Sequence, residues 1–251
     1  MNTLLQYAII FLLWFYLLLR EEVYKIVKQG KITNKCGKIS NNVIRRLPRY
    51  LRKLDELQSE GISRVSSKEL GEQLGLTPSQ IRQDFSCFGE FGQQGYGYNV
   101  VALREQIAAI LGMDRGYEAV LIGVGNLGHA LMDNFSFADC GIHLAAAFDI
   151  KESLIGTTFK GVPILSEKEM TDYLKTHDIA IAVLCVPKEV AVHVTNIVID
   201  CGIEAIWNFT NIELTEPNSP TIVENVHFSD SLLFLNYYVS ERMDEKAAHT
   251  V

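Results

Sequence analysis

A glycine-rich loop and one acidic residue in the second half of the chain carry the most specific binding chemistry. The loop, Gly123-Val124-Gly125-Asn126-Leu127-Gly128, follows the apolar run 119–122 and precedes a helical segment. Its glycines allow a tight turn and a close approach of the backbone to a pyrophosphate, and the following helix N-terminus favours negative charge. Asp149 ends the next predicted strand, where a carboxylate can accept hydrogen bonds from ribose hydroxyls and would repel a 2′-phosphate. Together these residues predict a site for NAD(H) rather than NADP(H).

The chain around this site alternates between predicted strands and helices, as parallel α/β proteins do. Residues 179–186 form a continuous apolar strand, residues 188–201 a helix, and residues 205–209 a further strand. We therefore predict a Rossmann domain, with a doubly wound parallel sheet, over residues 113–226. Because ligands bind at the carboxyl ends of such strands, three more cofactor contacts are predicted: Val186, Pro187 and Asn208.

The first half of the chain begins its regular structure with a basic amphipathic helix. Residues 43–57 place six apolar side chains on one helical stripe and surround it with basic side chains. Arg45, Arg46 and Arg49 lie on the outer face of this helix. Such a face is suited to meet phosphates.

Two short helices with recognisable N-caps follow. Ser66 and Glu69 have the spacing of a capping box at the start of the first, which a glycine ends. Thr77 is the predicted N-cap of the second, with Pro78 at its first position and Gln80 as the capping-box partner. Two short helices joined by a tight turn predict a helix-turn-helix, whose second helix enters the major groove of DNA.

The second of these helices and the segment after it supply candidate DNA contacts. Glutamine and arginine side chains suit bidentate contacts with adenine and guanine. The glycine-rich, aromatic residues 88–98 are typical of a β-hairpin wing, whose tip can touch the DNA backbone or minor groove. We predict a winged helix-turn-helix domain over residues 39–112, with contacts from Ser79, Gln80, Arg82 and Gln83 on the helix and from Gln93 and Gln94 on the wing.

The net charge of −7 conceals an asymmetry between the two halves. Residues 1–100 hold 14 Lys and Arg against 9 Asp and Glu, a net charge of +5, whereas residues 101–251 hold 9 against 21, a net charge of −12. Between Lys25 and Lys53 there are ten basic residues and no acidic one. This distribution is the electrostatic pattern expected of a surface that binds nucleic acid.

The five cysteines are scattered and odd in number, and no two have C-x-x-C spacing. That usage is typical of a reducing compartment and argues against a disulfide framework or a zinc site. We therefore expect a cytoplasmic protein without a metal centre.

The extension formed by residues 1–38 is apolar and then basic. Its 17-residue apolar run, residues 3–19, is at the lower limit for spanning a bilayer. No basic residue precedes the run and no small-x-small cleavage pattern follows it, which argues against a signal peptide. Two interpretations stay open: a membrane segment that leaves the basic half in the cytoplasm, or an artefact of start-site assignment.

The C-terminal segment is predicted to form a helix over residues 229–243 that is apolar on most of its circumference. Such a helix must be buried on several sides. Burial between domains or in a second subunit satisfies this requirement, so we expect a homodimer.

Residues 39–238 resemble the Rex family of redox-sensing repressors. The matching stretches, in chain order, are RRLPRYLR at 45–52, RVSS at 64–67, QIRQDFS at 80–86, GYNV at 97–100, GVGNLG at 123–128 and IWNF at 206–209. The resemblance therefore covers essentially the whole chain apart from the extension.

The resemblance implies a dimer that binds a palindromic DNA operator, with the C-terminal helix, in residues 227–251, swapped into its partner. It implies that the NAD+-bound or nucleotide-free form binds the operator and that NADH releases it. Phe228 would pack beside the nicotinamide, and Arg52 would make an interdomain contact. The matching stretches also add Tyr50, Arg64 and Ser66 to the predicted DNA contacts.

Three positions depart from the family pattern. A basic residue is common where Gln83 stands, an aromatic residue where Asn134 stands, and an aspartate where His227 stands. The last two, with the arginine matching Arg52, help some members to distinguish the redox states through an interdomain hydrogen bond. In this chain the candidate substitutes are Phe135 and Asp230.

Two other functions fit parts of the sequence. An NAD-dependent dehydrogenase would need a general acid or base beside the nicotinamide, but His129 and His193 lie on predicted helices and belong to no catalytic pattern. We therefore predict that the chain is not an enzyme. The other alternative is a membrane-tethered version of the same repressor.

Overall fold

The computed structural model of the chain describes residues 39–89, 96–215 and 219–248. The chain divides into two compact units, with the division between Leu111 and Gly112. The predictions for the extension 1–38, and for Gln93 and Gln94 on the wing, lie outside the described residues. Within the described ranges, no helix is long and apolar enough to cross a membrane.

The first unit combines helices with a short antiparallel strand pair. Its described elements are α1 (Asn41–Ser59), β1 (Arg64–Val65), α2 (Ser67–Leu74), α3 (Pro78–Ser86), β2 (Tyr98–Asn99) and α4 (Val100–Ile110). The pairing of β1 with β2 sets Val65 opposite Tyr98. The predicted apolar stripe of α1 is buried along its whole length, and the rings of Tyr50 and Phe85 meet edge to face with centroids 5.0 Å apart. The core of this unit therefore joins α1 to α3.

The starts of α2 and α3 follow from their capping residues. The Ser66 hydroxyl accepts a hydrogen bond from the Glu69 amide at 3.1 Å, and the Glu69 carboxylate accepts one from the Ser66 amide at 2.7 Å. This confirms the predicted capping box. Thr77 caps α3 by accepting a hydrogen bond from the Gln80 amide at 3.2 Å. The predicted return bond from Gln80 is wrong, because its side chain donates to Asp84 instead.

The second unit is a layered α/β structure. Its described strands are β3 (Tyr117–Ile122), β4 (Ile142–Asp149), β5 (Thr158–Phe159), β6 (Val162–Ser166), β7 (Ile181–Leu184), β8 (Ala205–Asn208) and β9 (Ile222–Asn225). Its described helices are α5 (Asn126–Asn134), α6 (Met170–Thr176), α7 (Lys188–Asp200) and α8 (Phe228–Ala248), with short 3-10 helices at Ala138–Cys140 and Glu167–Glu169.

The strand order of the described sheet is β5-β6-β4-β3-β7-β8-β9. Neighbouring strands are parallel except for β5 with β6. Counted over the parallel strands alone, the order is 3-2-1-4-5-6, which is the doubly wound arrangement of a Rossmann fold. After β3 the chain adds β4 and β6 on one side of it and then β7, β8 and β9 on the other. The crevice between β3 and β7 is therefore the topological switch point, where such folds bind ligands.

The central strand β3 is buried on both faces. Val120 and Ile122 belong to the core on one side of the sheet, and Ala119 and Leu121 to the core on the other. Successive side chains of a strand point to opposite faces, so helices covering both faces account for the uninterrupted apolar run. This burial holds the loop after β3 in a fixed place at the carboxyl edge of the sheet.

The last helix, α8, exposes large apolar side chains around its circumference. Leu232, Leu235 and Tyr238 are 58%, 57% and 63% exposed. The other exposed members are Phe228, Leu233, Phe234, Tyr237, Val239 and Met243. Contiguous apolar surface of this kind marks an interaction site.

Candidate functional site

The glycine loop lies at the switch point of the sheet and is tied to the strands on both sides. The Gly123 amide donates a hydrogen bond to the Phe148 carbonyl at 2.8 Å, at the end of β4. Gly123 has φ +96, and a Cβ atom at this position would lie 2.7 Å from the Cys185 carbonyl oxygen, just beyond β7. A side chain at Gly123 would therefore push β3 and β7 apart.

The other two glycines of the loop have different physical roles. A Cβ atom on Gly128 would lie 2.0 Å from the Gly123 carbonyl oxygen, so the absence of a side chain lets α5 pack directly on the loop. Gly125 is the N-cap of α5 and makes no side-chain capping bond. A Cβ atom there would meet nothing within 4 Å. The space above Gly125 is thus open at the helix N-terminus, which fits the approach of a pyrophosphate.

Asp149 faces this loop from the end of β4. One carboxylate oxygen accepts a hydrogen bond from the Val124 amide at 2.7 Å, and the other accepts one from the Lys151 amide at 2.8 Å. A carboxylate offers about four acceptor sites, so two remain for the hydroxyls of a ribose. The side chain both orients the loop and keeps the acceptors that the sequence pattern predicts.

The other predicted cofactor contacts lie along the same edge of the sheet, but their side chains differ in how accessible they are to a ligand. Val186 is half-buried beside the loop, and Pro187 is exposed at the start of α7. Asn208 is fully buried, and its amide donates to the Ile212 carbonyl at 2.9 Å and to the Asn225 side chain at 2.7 Å.

The remaining side-chain oxygen of Asn208 is also occupied. It accepts hydrogen bonds from the Thr210 amide at 2.9 Å and the Thr210 hydroxyl at 2.6 Å. This geometry does not fit the direct cofactor contact predicted for Asn208. Its side chain instead joins β8 to β9.

Two of the three residues that depart from the family pattern, His227 and Asn134, have partners within the second unit. His227 Nε2 lies 2.8 Å from the Glu213 carboxylate. The Asn134 side chain donates to the Ala130 carbonyl at 3.2 Å. Phe135 packs into an aromatic cluster, with its ring centroid 5.3 Å from that of Trp207. Phe228, at the start of α8, is exposed, and its ring centroid lies 6.1 Å from that of Phe209.

In the first unit, the predicted recognition helix α3 presents a polar outer surface. Ser79, Arg82 and Gln83 are exposed on it, and the Arg82 guanidinium donates to the Ser67 hydroxyl at 3.0 Å. The exposed predicted contacts outside α3 are Arg45, Arg49 and Arg64, and Ser66 is half-buried. Arg52 is also exposed on α1. These residues keep at least part of their side chains accessible to a ligand.

Tyr50, Arg46 and Gln80 are placed differently, because all three donate hydrogen bonds to Asp84. Tyr50 is fully buried, so its position does not fit the direct DNA contact predicted for it. Sequence reasoning missed Asp84. The available signal was its position on α3 between Ile81 and Phe85, on the inward face of the helix, where a carboxylate needs charged or hydrogen-bonding partners.

No cluster of three or more His, Cys, Asp or Glu side chains in the described ranges could hold a metal ion.

Burial is the main cause of a raised thiol pKa at three of the described cysteines, which are Cys140, Cys185 and Cys201. A raised pKa disfavours the reactive thiolate.

Two family models match the chain. One, described as a putative DNA-binding protein N-terminus, matches residues 38–86. The other, described as a CoA binding domain, matches residues 114–212. Each match falls on one of the two structural units.

Curated relatives match both units together. The redox-sensing transcriptional repressor Rex of Clostridium beijerinckii is 50% identical over 203 residues, which span 81% of this chain and 96% of the relative. The repressor of the same name from Caldicellulosiruptor saccharolyticus is 45% identical over 208 residues, which span 83% and 94% of the two chains.

Solved structures give the same result. RSP, a Rex-family repressor, in complex with β-NAD+ and operator DNA matches with a TM-score of 0.77 and 44% identity, over 83% of this chain and 96% of RSP. Its complex with β-NADH matches with a TM-score of 0.77 and 41% identity, over 84% and 98%.

The fold and the sites define a two-domain DNA-binding protein with a Rossmann unit. The chain belongs to the Rex family of redox-sensing transcriptional repressors. Because these relatives are repressors, the dehydrogenase alternative is not favoured.

The loop geometry predicts opposite phenotypes for two alanine substitutions. Gly128→Ala places a methyl group against the Gly123 carbonyl and is expected to destabilise the second unit by about 3 kcal/mol. Gly125→Ala meets no protein atom within 4 Å, so thermal unfolding should change little while NADH affinity falls by at least about tenfold. Thermal denaturation and NADH fluorescence titration measure the two effects. Wild-type NADH affinity in Gly125→Ala would contradict this assignment of the loop.

Proposed function

We propose that this chain represses transcription by binding a palindromic operator through its first unit, and that NADH binding to its second unit releases the DNA. One observation carries the proposal: the glycine loop and Asp149 converge at the switch point of a Rossmann sheet, in a chain whose other unit is a helix-turn-helix. The complexes of RSP with operator DNA and β-NAD+, and with β-NADH, support it.

The proposed cofactor site uses the backbone of residues 123–128 for the pyrophosphate and Asp149 for the adenine ribose. Val186 and Pro187 line the same edge, and Phe228 packs beside the nicotinamide. Coenzyme A carries the same ADP pyrophosphate, but its adenine ribose bears a phosphate that the Asp149 carboxylate would repel. This charge argument favours NAD(H) over the ligand named by the second family model.

The proposed DNA contacts divide into two groups. Arg45, Arg49 and Arg64 bind phosphates, because they are exposed and basic. Such contacts fix the position of the protein but carry no base information. The second group faces the major groove from α3 and consists of Ser79, Arg82 and Gln83. Ser66 approaches the DNA backbone from the N-terminus of α2. The predicted wing contributes Gln93 and Gln94.

Release by NADH is a shift between two populations of the repressor. NADH can lower DNA affinity only if it binds the released form more tightly than the operator-bound form. NAD+ must discriminate less, or in the opposite direction. Arg52 would contribute to this difference through an interdomain contact.

The proposed assembly is a homodimer with α8 swapped into the partner. We assign residues 39–112 to DNA binding, residues 113–226 to NAD(H) binding and residues 227–251 to dimerisation. The exposed apolar circumference of α8 supports this assignment. We place the protein in the cytoplasm, where the DNA is.

The proposal as a whole is tested by DNA mobility shift with the full chain. An operator is selected from random duplexes, and the complex is titrated separately with NADH and NAD+ at fixed salt, since salt alone changes affinity. We expect NADH to release the DNA at concentrations at which NAD+ has little effect. An equal response to both nucleotides would refute redox sensing, and an absence of DNA binding would refute the repressor function.

The dimer is tested by light scattering coupled to size exclusion at micromolar concentration. The wild type is expected to be a dimer. Phe234→Glu, which places a charge on the apolar part of α8, should shift it towards the monomer and weaken operator binding, because the two half-sites are no longer bound together. Arg242→Glu introduces the same side chain in the polar part of the helix and serves as the control. A monomeric wild type would contradict the assembly.

A further inference from the structure

The carboxylate of Asp84 is the most densely bonded side chain of the first unit as described. It is fully buried on α3, and three side chains donate hydrogen bonds to it. Arg46 donates through Nε at 2.6 Å and through Nη2 at 2.8 Å, Tyr50 through its hydroxyl at 2.6 Å, and Gln80 through Nε2 at 2.9 Å. Arg46 and Tyr50 come from α1, so the carboxylate links that helix to α3.

The electrostatics keep this buried group ionised. Burial alone would raise the pKa of Asp84, but the hydrogen bonds from Arg46, Tyr50 and Gln80, together with the charge of Arg46, outweigh burial and lower it. The pKa of Arg46 is raised, chiefly by its hydrogen bond to Asp84. A buried ion pair of this kind is destabilised strongly when one partner is removed.

The consequence for DNA binding is that two of its predicted contacts are engaged inside the protein. The Arg46 side chain is only 21% exposed, and its charge is balanced by Asp84. Gln80 is half-buried, with its amide nitrogen turned toward the buried carboxylate. Gln83, one turn further along α3, is exposed.

We infer that Asp84 is a positioning residue: it fixes α3 against α1 and holds Gln80 and Arg46 away from DNA, so that Gln83 carries the glutamine contact to a base. This inference rests on the proposed function, and it assigns base specificity within the recognition helix. Bidentate recognition of adenine needs the amide oxygen and nitrogen of glutamine together. The bond to Asp84 already directs one end of the Gln80 amide into the protein.

The matched pair Gln80→Ala and Gln83→Ala tests the inference in the full chain. Affinity is measured for the selected operator and for duplexes with each base pair of a half-site replaced in turn. We expect Gln83→Ala to reduce discrimination at one base pair by about tenfold. Gln80→Ala should instead lower affinity by about two- to fivefold for every duplex, with an unchanged order of preference, because it loses one internal hydrogen bond.

A second matched pair, Arg46→Lys and Arg104→Lys, tests the positioning role with the charge retained. Arg104 on α4 also bonds to a carboxylate, with its Nε 2.7 Å from Asp55, but both side chains of that pair are partly exposed. Lysine binds a phosphate as a point charge but cannot make a bidentate bond to a carboxylate. Arg104→Lys should bind the operator within about twofold of the wild type, because an exposed ion pair contributes little, whereas Arg46→Lys should lose at least about tenfold. NADH titration and thermal unfolding show whether each variant is folded.

Several outcomes would overturn the inference. If Gln80→Ala abolishes preference at a base pair, Asp84 supports Gln80 as a base reader instead of withdrawing it. If Gln83→Ala keeps every base preference of the wild type, Gln83 does not read a base. If Arg46→Lys binds the operator with wild-type affinity, Arg46 is a phosphate contact. If the wild type binds the operator while these results appear, only the inference fails. If the wild type binds no DNA, the proposed function fails and the inference with it.

Discussion

A buried charge must be neutralised by nearby partners, and this requirement governs the architecture of the DNA-binding unit. Asp84 lies in the core with its charge balanced by Arg46, and its remaining acceptor positions are filled by Tyr50 and Gln80. Replacing any one donor leaves part of a buried carboxylate without a hydrogen bond. The free-energy penalty of that unsatisfied group is larger than the net free energy that the hydrogen bond contributes. The relative position of α1 and α3 is therefore specified by directional bonds as well as by apolar packing.

In the Rossmann unit, the polar groups that need partners belong to the backbone. The loop after β3 carries polar amides and carbonyls at the edge of a dry core, and such groups need partners. The Gly123 amide bonds to the end of β4, the Val124 amide bonds to Asp149, and α5 packs on the loop because Gly128 lacks a side chain. One loop thereby joins three parallel strands and a helix, and of its three glycines Gly125 alone has open space where a Cβ atom would lie.

Local sequence signals predicted the parts of the fold that local physics decides. The capping box of Ser66 and Glu69, the Pro78 start of α3 and the apolar stripe of α1 depend on residues within one or two turns, and the structure has each of them. The glycine loop and Asp149 were predictable because their spacing belongs to a recurrent strand-loop-helix unit.

The roles of Tyr50 and Asn208 were not predictable from the same reasoning. A polar residue on a helix face or at a strand end is read as accessible, but here the partners that bury it lie far away in sequence. Tyr50 meets Asp84 across 34 positions and Asn208 meets Asn225 across 17. Periodicity predicts which face of an element a residue occupies, but it does not predict a hydrogen bond to a partner on another element.

The rigidity of the α1–α3 connection constrains how a nucleotide can release DNA. Moving an equilibrium from 1:99 to 99:1 requires a difference in binding free energy of about 5.5 kcal/mol between the two states. Disrupting a buried ion pair adds a penalty of about 3–5 kcal/mol, so a mechanism that remodels the recognition helix would consume most of that difference. A mechanism that moves the helix-turn-helix as one body leaves the Asp84 contacts intact. The energetics therefore favour release by displacement of intact recognition helices in the proposed dimer, since two half-sites are bound together only when both helices keep the spacing of the operator.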